Sequence, residues 1–361
     1  MMLGAVGCAE ASLEPQIDSR VHVVSNAPMM AAADRLVFSA ADGQALLDRQ
    51  PGDLVVGGNG TGFLRRVVGV QQQGDQIVVM TAPAALSDAL VQADYGSQLV
   101  DDKSDLSGPS LDGVFVGLGD TELEAGGNVT AKITSGQLSF HPGLDLQLQV
   151  RDHAVQRFDL VASGALDADL AIHVEGNGAT DATFSKELWE SPSKTFVQMV
   201  GYVPVVEVVK VVVTADVDIG SDDGIFSLDV GASGHAQLDV GKRYIDGTWY
   251  SANGHTLTLD RSGPTFTGST SAHVAVDIGV ELEVNFYDLA GPFVSFAPKL
   301  EADYVPGQGV TAAWGLEGEF GGQIDVLGAG NDDRLAGFDG TLFDFTCDFG
   351  KSVQECLSEE N

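Results

Sequence analysis

Basic side chains are scarce in this chain of 361 residues: 18 Lys and Arg stand against 52 Asp and Glu, for a formal net charge of −34. A nucleic-acid binder needs a basic face, so that class is excluded. Cysteines number only three, too few for a disulfide-dense mini-domain. No uninterrupted apolar run reaches the roughly 18 residues that a membrane-crossing helix needs. Charged residues are 19% of the chain and hydrophobic residues 44%, which excludes an acidic disordered tail and leaves enough apolar surface for a core. Glycine is abundant, at 45 of 361 residues. Tight turns and crowded strands accommodate glycine, whereas helices lose stability with it.

The two ends bear on compartment. Ala5, Val6 and Gly7 precede Cys8, a loose version of a bacterial lipoprotein cleavage site, although the basic and apolar stretches of a full secretory signal are incomplete. Residues 1–20 read as a truncated signal or lipoprotein-like start and a linker, with Cys8 the candidate for lipidation. Cys347 and Cys356 lie near the C-terminus with eight residues between them. Their pairing in a disulfide would staple the last strand to the tail and leave no cysteine over.

Three further segments follow. Residues 21–97 form a small β-rich module of short β-branched runs between Gly and Asp turns, such as Leu54–Val56, Phe63–Val70 and Ile77–Thr81. Its apolar stripe of Leu86, Ala89, Leu90 and Ala93 predicts one short helix over Ala84–Ala93. Residues 98–113 are a polar linker. Residues 114–361 alternate strand after strand, most clearly where Val274, Val276, Ile278, Val280, Leu282, Val284 and Phe286 face polar or small neighbours. Period two at that length predicts half-buried antiparallel strands. Val203–Val213 is almost continuously apolar, which predicts a central strand covered on both faces and prone to aggregation. The fold class is all-β: a large antiparallel sandwich or flattened barrel of long strands behind the small module.

Two stretches carry a resemblance. Pro51–Leu90, with Gly62–Val67 and Thr81–Ala89 inside it, resembles a module near the N-terminus of uncharacterised secreted, lipoprotein-like β-rich bacterial proteins. Tyr287–Pro292, with Leu342–Asp344, resembles the β-rich region that follows in such proteins. The resemblance implies export and a large β architecture; the family has no established activity.

Few motifs carry chemistry. Gly328–Leu335 is similar to the Ca²⁺-binding nonapeptide of parallel β-rolls, but it occurs once, and roll ligands come from adjacent turns. Asp332 and Asp333 are therefore candidate ligands for a single-turn Ca²⁺ contact, and no other cofactor is expected. Carboxylate ladders stand on expected outer faces: Asp167, Asp169 and Glu175; Asp216 and Asp218; Asp277, Glu281 and Glu283; Glu317, Glu319 and Asp325. Like charges opposite one another destabilise a sheet, so salt or divalent cations should offset them. The seven histidines, His22, His141, His153, His173, His235, His255 and His273, form no metal motif and read as surface residues. Gly57–Gly62 reads as a Gly-rich hairpin rather than a phosphate cradle, because no Lys and no helix follow. Arg65 and Arg66 are expected to bind the protein's own carboxylates.

These readings point to an exported or surface-anchored, non-catalytic structural or binding protein of the cell envelope, with a lipid anchor and a surface partner. One rival is a carrier holding a lipid or other apolar ligand between long curved sheets. Another is a secreted glycan hydrolase or lyase, although no local pattern selects a catalytic carboxylate pair. An outer-membrane barrel is suggested by the alternation over Ala312–Val326. The late cysteine pair and the strongly acidic alternate face argue against it.

Overall fold

The computed structural model describes residues 14–99, 113–124, 128–287, 291–322 and 340–348. Among the described residues strand accounts for 76% and helix for 4%, so the fold is all-β, as the alternation predicted. In chain order, β1 (Gln16–Ile17), β2 (Val21–Val23), β3 (Met30–Ala32) and β4 (Arg35–Ser39) precede a one-turn helix, α1 (Ala40–Gly43). Then come β5 (Leu54–Gly57), β6 (Phe63–Gln73), β7 (Gln76–Pro83), the short helix α2 (Leu86–Ala89) and β8 (Leu90–Leu99). Next are β9 (Val114–Gly117), β10 (Thr121–Glu124), β11 (Val129–Arg151), β12 (Ala154–Asn177), β13 (Thr180–Glu190) and β14 (Lys194–Val200). The chain continues with β15 (Val203–Ser221), β16 (Ile225–Ile245), β17 (Thr248–Gly268), β18 (Ala272–Phe286), β19 (Pro292–Val305), β20 (Gly309–Gly322) and β21 (Gly340–Asp348).

These strands make three sheets. The six-stranded sheet runs β2-β5-β6-β7-β4-β3, with β2 and β5 parallel. The eight-stranded sheet runs β1-β8-β11-β12-β16-β17, and β9 and β10 also pair with β11. The seven-stranded sheet runs β13-β15-β18-β19-β20-β21, and β14 also pairs with β15. The two large sheets are antiparallel and pack face to face as a sandwich. At about 3.3 Å per residue, the longest strands extend roughly 80 Å. Among the described residues no helix is long and apolar enough to cross a membrane.

Local chemistry explains the hairpins. Asp152 and His153 have φ of 51° and 61° between β11 and β12, and Asp246 and Gly247 have 47° and 86° between β16 and β17. Two central residues with positive φ make the type I′ turn, whose twist matches that of the strands. Partway along the long β11–β12 pair, Gly164 (φ 151°) lies opposite Pro142. A Cβ at Gly164 would stand 2.2 Å from the His141 carbonyl oxygen, so only glycine fits there.

The helix expected over Ala84–Ala93 is confined to Leu86–Ala89. From Leu90 the chain is β8, with Ala93 registered on Val150 and Tyr95 on Leu148 of β11. Pairing along a whole strand outweighs the local preference for another helical turn. After β1, the chain thus returns to the eight-stranded sheet at Leu90, inside the 21–97 segment. Arg66 of β6 meets Asp88 of α2 at 2.6 Å, the own-carboxylate contact expected for the arginine pair. Asp88 also accepts the Ala85 N–H at 2.9 Å, which fixes the start of the helical turn.

One continuous core fills the space between the large sheets. The alternating β18 residues from Val274 to Phe286 are all buried. Phe140 meets Phe296 at 5.6 Å, Trp249 meets Phe320 at 6.3 Å, and Phe266 stacks on Tyr304 at 3.6 Å, each bridging the two sheets. On β15, Val203–Val209 is buried throughout, Glu207 included, as the almost continuously apolar run predicted. One face meets the eight-stranded sheet. On the other face the Gly57–Gly62 turn of the small module closes over Pro204 and Val206. A Cβ at Gly62 would stand 2.6 Å from Val206 Cγ2, and one at Gly58 3.0 Å from Pro204 Cβ.

Candidate functional site

The outer faces of the large sheets carry the chemistry, and register assembles it. Three cross-strand His–Asp pairs form there. His235 on β16 lies 2.7 Å from Asp167 on β12. His173 on β12 lies 2.8 Å from Asp229 on β16. His273 on β18 lies 2.8 Å from Asp303 on β19. In each the contact is through Nδ1. A carboxylate only accepts, so Nδ1–H donates and the tautomer is set. Neighbouring cations neutralise other carboxylates: Lys210 reaches Glu283 at 3.4 Å and Glu190 at 3.5 Å, and Lys299 pairs with Glu317. Repulsion along the ladders is thus offset in part by the protein's own histidines and lysines. Asp216 is registered directly on Asp277, which is registered on Lys299 on its other side.

Ser139, Asp167, His235 and Thr258 occupy one row across β11, β12, β16 and β17. With Gln137 and Asp169 they line an open cleft of about 320 Å³. The composition is that of a hydrolytic triad, but the Ser139 and Thr258 hydroxyls bond elsewhere. Ser139 Oγ pairs with His141 Nε2 at 3.4 Å, and Thr258 Oγ1 donates to the His235 main-chain oxygen at 3.4 Å. Neither bond activates a nucleophile through the Asp167–His235 pair.

On β18, Glu281 stands beside Glu283, and burial followed by the Glu283 charge pushes its carboxyl up to about 7. Inside the sandwich, Glu207 of β15 is fully buried. It accepts hydrogen bonds from the Tyr95 hydroxyl and, at 3.0 Å, from Ser97 Oγ, both on β8. Desolvation holds its carboxyl above the ordinary range, opposed by those two donors. In the small module, burial and the Arg49 guanidinium push His22 down.

The residues singled out in the sequence are scattered by comparison. Cys347 lies on β21, registered on Trp314 of β20. Cys8, Cys356, Asp325, Asp332 and Asp333 lie outside the described residues. Glu207, Tyr95 and Ser97 escaped sequence reasoning; the available signal was a single Glu inside the apolar Val203–Val213 run. The His–Asp pairs had no local signal, because their members lie far apart in the chain. No protein family, curated protein or solved structure matches the chain.

Proposed function

We propose that the protein is an exported or surface-anchored, non-catalytic structural and binding protein of the cell envelope. The observation that carries this reading is the division of labour between faces. Apolar side chains occupy the interior of the sandwich, and rigid rows of carboxylates with their His and Lys partners face outward. Such a surface is soluble and repels other acidic surfaces. The bonds that Ser139 and Thr258 make away from the Asp167–His235 pair favour binding over catalysis. The small residues Ala5, Val6 and Gly7 before Cys8 support export. The test is cell fractionation of the native host with intact-mass measurement. A diacylglycerol-modified Cys8 in the envelope fraction is expected; an unmodified chain confined to the cytosol would overturn the reading.

A second reading, the carrier, draws on one recess. Trp189, Pro142, Pro192, Val209 and Val211 line an apolar pocket of about 240 Å³ with Lys194 also in its wall. That volume suits a small apolar molecule or one end of a chain, with the ammonium near any anionic group. Native mass spectrometry of protein from its own host should then show a retained ligand that Trp189→Ala releases.

A further inference from the structure

We propose that His273, Glu301 and Asp303 form a site for one divalent transition-metal ion of the zinc, cobalt or nickel class. The inference is independent of the envelope reading. One donor atom from each residue lies within 4.8 Å of the other two, and the 2.8 and 4.0 Å separations from His273 fall inside the span of about 4.4 Å that two ligand bonds of about 2.2 Å can bridge. The donors sit on two paired strands. His273 is registered on Asp303, and Glu301 lies two residues earlier on the same face of β19. No loop has to be ordered to assemble them, so binding loses little conformational entropy.

Direction distinguishes this cluster from its nearest look-alike. His273 Nδ1 faces both carboxylates, at 2.8 Å from Asp303 and 4.0 Å from Glu301. His173 also has two acidic neighbours, but Asp229 lies 2.8 Å from Nδ1 and Glu175 lies 3.8 Å from Nε2. Opposite ring nitrogens cannot hold one ion together with both carboxylates. At His273 the ion would take the place of the proton between Nδ1 and Asp303.

The surroundings leave room for the remaining ligands. The register neighbours of the three residues are Gly220, Ala275, Thr311 and Ala313, all short, so water can complete the coordination shell. One imidazole and two carboxylates suit a borderline ion such as Zn²⁺, whereas Ca²⁺ requires six to eight oxygens. Side-chain exposures of 38%, 50% and 46% for His273, Glu301 and Asp303 keep the site accessible.

The test uses the full chain, stripped with chelator and held in excess Ca²⁺ at physiological salt to fill loose carboxylate sites. Zn²⁺ is titrated by calorimetry, and Co²⁺ by visible absorption, where a thiolate ligand would betray itself by an intense near-ultraviolet band. One saturable nitrogen- and oxygen-ligated site is expected. His273→Ala and Asp303→Asn should each weaken it by more than the roughly 10–100-fold that loss of an outer-shell partner costs, and His173→Ala should leave it unchanged. Imidazole ¹⁵N spectra of the unmutated protein give a reading that does not depend on variants folding: the His273 Nδ1 resonance should move with Zn²⁺ while those of His173 and His235 stay. Unsaturable binding, thiolate ligation alone, equal loss in His173→Ala, or an unmoved His273 resonance would each overturn the proposal.

Discussion

Tyr95, on β8 of the eight-stranded sheet, donates its hydroxyl hydrogen to Glu207, on β15 of the facing sheet. The bond crosses the largely apolar layer between the two sheets. Ser97 donates to the other carboxyl oxygen at 3.0 Å, and Gln198 of β14 donates to Ser97 Oγ at 2.8 Å. Nearby, Tyr287 donates to the Pro204 carbonyl at 2.7 Å. Leaving a buried polar atom unpaired costs about 1–3 kcal/mol, so this network fixes how the sheets align as well as holding them together.

The Glu207 carboxyl is raised in the folded protein, chiefly by burial. Its contribution to stability is therefore fully present below the unfolded value of 4.5 and is lost as pH rises through the folded value. Glu207→Gln stays neutral at every pH. Urea unfolding should show the variant gaining on the parent as pH rises from below 4.5. A constant difference across that range would contradict the linkage. Tyr95→Phe removes one donor from the carboxyl and should cost about 1–3 kcal/mol near neutral pH.

Glu281 should titrate with a midpoint of about 7, seen by carboxyl ¹³C NMR. Burial is the first cause and the adjacent Glu283 charge the second, so Glu283→Gln should lower the midpoint without restoring it to 4.5. Because the folded value is raised, Glu281 favours folding below pH 4.5 and loses that contribution as pH climbs to about 7. An unaltered midpoint in Glu283→Gln would remove the like-charge explanation.

Asp216 and Asp277 are direct cross-strand partners on β15 and β18. Asp216→Asn should raise the melting temperature in low salt, and the gain should shrink as NaCl screens the parent. The parent's own melting temperature should rise with NaCl. A gain in Asp216→Asn that is indifferent to salt would show that repulsion is not its source.

Phe140 and Phe296 join the two large sheets at 5.6 Å, and both are fully buried. Phe296→Ala should destabilise by about 3–5 kcal/mol in denaturant titration. The double variant with Phe140→Ala should cost less than the sum of the singles, because the rings share one contact.

Much of this architecture was legible from alternation. The β18 residues Val274–Phe286 showed their buried face directly, and Val203–Val213 announced cover on both faces. What covers the second face, the Gly57–Gly62 turn, was not legible, because it depends on docking between distant segments. The helix over Ala84–Ala93 was over-extended because Leu90 and Ala93 suit a helical stripe as well as a strand paired with β11. His273 read as an ordinary surface histidine, and nothing in the sequence singled out Asp303. Their pairing depends on a register set by the whole β18–β19 ladder rather than by adjacent residues. Glu207 was the reverse case, a local anomaly whose partners lie far upstream.

The placement of β15 bears on how a nascent chain survives. One edge of this strand is occupied by β14, made just before it, and by β13. Its other edge pairs with β18, which begins only at Ala272, after β16 and β17 have been made. The most valine-rich segment of the protein thus leaves the ribosome with one hydrogen-bonding edge open while a long hairpin destined for the other sheet is synthesised. Such an edge recruits other chains. Slowing translation between Ser221 and Ala272 would prolong that interval, so the yield of folded protein is coupled to the speed of elongation through this stretch.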